Sequence, residues 1–284
     1  MTETAYSQRI DSHHHLWHYT PEEYGWVGDD VASLRRDFLL EDLRRELADA
    51  GVDGTVAVQA RQTLEETDWL LEIAENHDSP VRGVVGWLPV ASARFPALLD
   101  TYRDSKHLCG LRHIVQGEQP GFLDGDAFNQ GIAQLRDTGL AYDILIYARE
   151  LEEAIRFVDR HPAQSFVLDH MAKPDIRNHG FADWAESFRE LALRDNVTCK
   201  LSGMVTETDW NRWSTTELQP YFETALESFS PNRLMIGTDW PVLTVGCTYS
   251  NWWKTIEDWT ASLSQQERNM ILGGTAMRVY SLPS

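Results

Sequence analysis

Positive charge is scarce in this 284-residue chain. It holds four lysines, Lys106, Lys173, Lys200 and Lys254, and its 25 Lys and Arg face 44 Asp and Glu, for a formal net charge of −19. Nucleic acid and anionic membrane are bound mainly through clusters of Lys and Arg, so neither is expected as a partner. Cysteine is just as sparse. Cys109, Cys199 and Cys247 are odd in number, far apart and free of any C-x-x-C pair, which excludes a zinc ribbon or redox dithiol and fits a reducing cytoplasm. No apolar run approaches the roughly 18 to 20 residues that span a bilayer. Residues 1–8 lack the basic and apolar regions of a signal peptide. The expectation is a soluble, cytoplasmic protein.

What the chain does contain is alternation. Strand-like runs fall at 7–17, 54–61, 81–88, 109–114, 141–147, 165–170, 197–203 and 233–239, with amphipathic, helix-rich segments between them at 39–50, 65–76, 95–103, 127–138, 151–160, 182–194 and 216–229. Strand followed by helix, repeated in this way, predicts a parallel sheet covered by helices. Eight units favour closure into an α/β (β/α)8 TIM barrel, and no Gly-x-Gly-x-x-Gly follows the first run to mark an open nucleotide-binding sheet. Nothing in the composition divides the chain, so residues 1–284 are expected to form a single domain. The stretches 19–38 and 175–180 are candidate loops over the barrel mouth.

Chemistry in such a barrel collects at the carboxyl ends of the strands. The stretch "RIDSHHHLWHY" brings four histidines close together there. On a regular strand Asp11, His13, His15 and Trp17 share one face, and Ile10, Ser12, His14 and Leu16 the other. The apolar set should face the helices, which aims His13 and His15 into the mouth. In the sixth run Phe166, Leu168 and His170 share parity; in the eighth, Met235, Gly237 and Asp239 do. His13, His15, His170 and Asp239 therefore make an N/N/N/O set suited to one divalent transition metal.

The motifs "DSHHHLW", "GLRH", "LDHMAKP", "CKLSG" and "GTDWPV", in this order over about residues 10–280, resemble the lactonase branch of the amidohydrolase superfamily, of the amidohydrolase-2 type. The resemblance implies a (β/α)8 barrel that opens sugar lactones such as L-fuconolactone, L-rhamnonolactone or a galactonolactone. It carries catalytic and metal-binding roles onto His13, His15, His170 and Asp239. Asp239 is then the general base, and the histidines polarise the carbonyl directly or through one Zn²⁺ that members of this branch can do without. Binuclear relatives carry a carboxylated fourth-strand lysine, and "CGLRHIV" offers Arg112 and His113 in its place, so a two-metal centre is not expected. The expected partner is a small-molecule lactone, and the expected assembly a monomer or homodimer.

Substrate contacts are expected from Trp17, Gln59, Arg61, Arg112, His113, Tyr147 and Lys200. Arg112 and His113 have opposite parity, so one of them should face inward, with Arg112 preferred. Each residue also has a plainer reading. His13, His15 and His170 could be hydrogen-bonded core histidines, and Asp239 a helix cap. An inward Arg or Lys could pair with a buried acid such as Asp11 or Asp143. Trp17, Trp26, Trp87 and Trp240 could be core packing. At the level of the whole chain the alternatives are a metal-dependent decarboxylase of the same superfamily and a ligand-binding barrel without chemistry.

Overall fold

In the computed structural model, which describes residues 8–283, the alternating pattern becomes eight parallel strands that pair in chain order. They are β1 (Ile10–His14), β2 (Gly54–Val58), β3 (Val81–Gly86), β4 (Leu108–Ile114), β5 (Ala141–Leu145), β6 (Phe166–Leu168), β7 (Val197–Leu201) and β8 (Leu234–Ile236). The ring closes just beyond β8, where Asp239 N donates to His13 O at 2.8 Å and His15 N to Trp240 O at 2.7 Å. The architecture is the (β/α)8 barrel that the alternation predicts. Ser7, the expected first residue of the first strand, lies outside the described residues.

The helices between strands are α1 (Leu40–Ala50), α2 (Leu64–Glu75), α3 (Phe95–Tyr102), α4 (Asp126–Ile132), α5 (Leu151–Arg160), α6 (Phe181–Ala192) and α7 (Thr215–Phe229), followed by α8 (Tyr249–Trp259), α9 (Gln265–Asn269) and α10 (Thr275–Val279). Their starts follow local chemistry. Thr63, Ser214 and Thr248 each accept a hydrogen bond from a first-turn backbone N–H of α2, α7 and α8. In α5, Leu151, Ala154, Phe157 and Val158 recur at helical spacing and are buried against the barrel, with Ile155 partly buried beside them. Among the described residues no helix is long and apolar enough to cross a membrane.

Alternation along the strands separates two cores. Ala57, Val84, Ile144, Leu168, Leu201 and Ile236 pack outward with the helices. Ile10, Val56, Val58, Val85, Val167 and Met235 pack inside the barrel, where Tyr280 and Leu282 join them from the segment after α10.

Ile10 thus faces inward, contrary to the expectation from simple alternation, and Asp11 faces outward. Its Oδ2 accepts from Thr238 Oγ1 at 2.6 Å and from Tyr249 Oη of α8 at 2.9 Å. The cause is a bulge. From Asp11 to His14 the chain advances three positions while the paired β2 residues, Thr55 and Ala57, advance two. The extra residue resets the alternation. Beyond it His13 and His15 point inward as expected, and His14 turns to Thr55 Oγ1 at 3.0 Å.

Candidate active site

The strand ends open into a cavity of about 460 Å³ whose wall includes His15, Trp17, Arg112, Tyr147, His170 and Asp239. The 19–38 segment covers one side of it, as expected, through Trp26, Asp30, Val31 and Leu34. The 175–180 segment is absent from the wall; the chain after β6 contributes Lys173 there instead. Gln116, Thr206, Glu207 and Trp210 also line it. They lie in the loops after β4 and β7, beyond the reach of strand parity.

His13, His15, His170 and Asp239 meet at the cavity floor. Asp239 Oδ1 lies 3.3 Å from His15 Nε2 and 3.8 Å from both His13 Nε2 and His170 Nε2. His13 Nε2 and His15 Nε2 are 3.3 Å apart. Two glycines make this packing feasible. A Cβ on Gly237 would stand 2.8 Å from His13 Cβ, and one on Gly203, already at φ +66°, would stand 2.6 Å from the Cβ and Cγ of His170.

His170 reaches the floor by an unexpected route. Val167 faces the barrel interior and Leu168 the helices, so continuing parity brings Asp169 inside rather than His170. The strand then stops and His170, Met171, Ala172 and Lys173 adopt φ of 53°, 54°, 60° and 45°. Four successive L-residues in the left-handed region form a turn that costs on the order of 1–2 kcal/mol per residue. Such strain persists where the surroundings hold it in place and is common at functional sites.

Asp169, which the sequence analysis passed over, organises the layer beneath. Its Oδ1 lies 3.3 Å from His13 Nδ1 and 3.0 Å from Lys200 Nζ, and its Oδ2 accepts from Arg112 Nη1 at 2.9 Å. Lys200 also donates to Asp143 Oδ2 at 2.6 Å, an oxygen that accepts from Tyr280 Oη at 2.7 Å. Two carboxylates thus meet an ammonium and a guanidinium, and the fully buried set is neutral overall. The signal for Asp169 was its shared parity with Val167.

The remaining expected contacts divide. Trp17, Arg112 and Tyr147 are on the wall. Lys200 lies below it, paired with Asp143 and Asp169 rather than Asp11. Gln59 is buried; its side-chain amide donates to Arg112 O at 3.3 Å, and its backbone carbonyl accepts from Arg112 Nη2. Arg61 turns to Glu23 and Glu66. His113 stacks on Phe122 outside the cavity, at 4.7 Å between ring centroids, and bonds Glu118 at 2.8 Å. Of the tryptophans, Trp26 stands at the rim 52% exposed, Trp240 is buried, and Trp87 donates to His113 Nδ1 at 3.3 Å.

A carbonyl only accepts, so His15 Nδ1 donates to the carbonyl of Val58 at 2.7 Å. His13 has a donor-only cation at each ring nitrogen, Arg112 Nη1 3.3 Å from Nε2 and Lys200 Nζ 3.2 Å from Nδ1, with Asp169 Oδ1 3.3 Å from Nδ1. Burial keeps His170 neutral by pushing it down to about 4, and takes His13 well below its ordinary value. Burial opposes ionisation of Asp169, yet the Lys200 ammonium, the His13 contact and the Arg112 guanidinium hold it well below the usual carboxylate range.

His15 Nε2 lies 3.3 Å from both His13 Nε2 and Asp239 Oδ1, and His13 Nε2 and His170 Nε2 are each 3.8 Å from the same oxygen, so three imidazole nitrogens crowd one carboxylate oxygen. Ligands about 2.0–2.1 Å from a tetrahedral zinc are themselves about 3.3 Å apart. His13, His170 and Asp239 each offer one ligand atom within 4.8 Å of the others, and His15 adds a fourth. The residues fit one divalent ion, with Asp169 and the Val58 carbonyl as the outer partners that orient two of the imidazoles.

Comparison with known proteins bears on this geometry. The profile of the family described as Amidohydrolase matches residues 10–282. The chain is 37% identical over 287 residues to an L-fucono-1,5-lactonase of Burkholderia multivorans, covering 97% of this chain and 96% of that protein. To an L-fucono-1,5-lactonase of Burkholderia ambifaria it is 32% identical over 279 residues, 96% of each chain. A solved amidohydrolase from Burkholderia multivorans with bound zinc superposes with a TM-score of 0.93 at 36% identity, over 97% of this chain and 100% of that one.

Proposed function

Because the chain belongs to the amidohydrolase family, we propose that it hydrolyses a sugar lactone of the L-fucono-1,5-lactone kind, by attack of water on the ester carbonyl. The observation that carries this reading is the Asp239 carboxylate held among three imidazoles at the floor of a cavity wide enough for one sugar ring.

Asp239 takes a proton from water as the oxygen attacks the carbonyl carbon. The charge developing on the carbonyl oxygen meets the histidines and the guanidinium of Arg112, which Asp169 and the Gln59 carbonyl lock in position on the wall. Bound by His13, His15, His170 and Asp239, a divalent ion such as zinc would supply Lewis-acid polarisation of that carbonyl. As the tetrahedral centre collapses and the carbon to ring-oxygen bond breaks, the protonated Asp239 returns its proton to the departing oxygen. The product is a hydroxy acid that ionises in water. We place the reaction in the cytoplasm, on the strength of three free thiols, Cys109, Cys199 and Cys247.

The test follows the proton. Addition of an aldono-1,5-lactone to a weakly buffered solution of the enzyme should acidify it, and Asp239→Asn should lower kcat about 10³-fold with the thermal unfolding curve retained. Release of CO2 from an aromatic acid, without acidification by any lactone, would transfer the site to decarboxylation. Near-wild-type turnover in the mutant would remove Asp239 from the base role.

A further inference from the structure

The left-handed turn that delivers His170 continues three residues further than that histidine needs. Its fourth member, Lys173, is thereby set on the cavity wall beside Tyr147, Glu207 and Trp210. Among the described residues the Lys173 ammonium has no hydrogen bond and no ion pair; it lies 5.5 Å from the Tyr147 ring centroid, over the ring face. Arg112, the other cationic chain of the wall, is committed to Asp169 and the Gln59 carbonyl. Lys173 is thus the wall cation with all three donors to spare.

Glu207 faces the same space from the loop after β7. Its carboxylate has one weak internal donor, Thr206 Oγ1 at 3.4 Å, and burial raises its affinity for a proton, offset in part by the charge of Lys173. An ammonium that only donates and a carboxylate that only accepts, on one wall, match the hydroxyls of a sugar ring. Each hydroxyl can accept from the one while donating to the other.

We propose that Lys173 and Glu207 form the hydroxyl-recognition subsite of this enzyme, gripping a diol of the lactone ring while Asp239 and the histidines act on its ester. The proposal rests on the lactonase reading for the identity of the ring. Lys173 contributes binding and not the proton that the departing ring oxygen needs, which Asp239 supplies. Selectivity for hydroxylated over plain lactones therefore resides in this pair, because a site built to bond a hydroxyl leaves its own polar groups unpaired when the hydroxyl is missing.

The experiment compares Lys173→Met and Glu207→Gln with wild type on a trihydroxylated 1,5-lactone and on unsubstituted δ-valerolactone. Both variants should lose about 10- to 100-fold in kcat/KM on the hydroxylated substrate, through KM, and stay within about twofold on δ-valerolactone. An equal loss on the two lactones would make Lys173 part of the ester chemistry and overturn the proposal; no loss on either would overturn it as well. Calorimetric titration with a trihydroxylated δ-lactam and with δ-valerolactam separates this from the reading it rests on. If wild type opens neither lactone, the hydrolase reading fails, yet tighter binding of the hydroxylated lactam that disappears in both variants still supports the subsite. Equal affinity of wild type and variants for that lactam, or no binding of it, rejects the subsite.

Discussion

The ends of β1 and β6 deliver imidazoles to the same carboxylate by different backbone routes. β1 stays extended; after its bulge, His13 and His15 simply obey alternation, with Asp169 and Lys200 at His13 Nδ1 and the Val58 carbonyl accepting from His15 Nδ1. β6 ends early and reaches the site through four left-handed residues. The first route takes its precision from buried charge. The second takes it from shape, since the turn is held by the close approach of Gly203 to His170 and by Ser202 Oγ, 2.9 Å from His170 Nδ1.

The comparison can be broken from either side. On the charge side, Asp169→Asn leaves Arg112 and Lys200 with Asp143 as the one remaining acid of the buried layer. The expected result is a loss of about 3–5 kcal/mol of stability, read by denaturant unfolding. If the four ligands bind a divalent ion, its affinity, read by chelator competition after loading with zinc, should fall 10- to 100-fold as well. A variant as stable as wild type would show that the layer does not position His13.

On the shape side, Gly203→Ala forces a methyl into the His170 ring at a residue whose own φ is +66°. About 2–3 kcal/mol should be lost, together with most activity, because the imidazole must move. Unchanged thermal unfolding and turnover would mean that the turn is held elsewhere. The smallest effect sharpens the contrast. Ala172→Gly acts on a buried alanine at φ 60°, and Ala185→Gly on a buried alanine inside α6. Glycine relieves strain at the first position and adds only backbone freedom to the unfolded chain at the second, so the first variant should be the more stable by about 1–2 kcal/mol. Equal unfolding midpoints would show that the turn carries no strain.

The same contrast decides what could be read from the chain. The eight-unit alternation is set by hydrophobic periodicity, a local property, and the barrel followed from it. His13, His15 and Asp239 were legible as strand-end residues of suitable parity, although the bulge after Asp11 shows that the parity of Ile10 and Asp11 was misassigned. His170 was found for the wrong reason, because a left-handed turn of ordinary L-residues leaves no periodic trace. Asp169 was hidden by the same error, since parity that favours His170 excludes its neighbour. Gln59, Arg61, His113 and Lys200 were expected around the substrate; Gln59 and Lys200 are taken up by Arg112 and Asp143, far away in sequence, and Arg61 and His113 by Glu66 and Phe122 on the loops or helices that follow their strands. Lys173 and Glu207 lie on loops whose course depends on the turn and on tertiary packing.

The hydrogen bond from Tyr280 to Asp143 ties residues 137 positions apart into one circuit with Lys200, Asp169 and His13. Asp143 therefore draws its partners from two distant parts of the chain: the ammonium of Lys200 on β7, and the Tyr280 hydroxyl from the segment after α10, which enters the barrel interior from beyond the last strand.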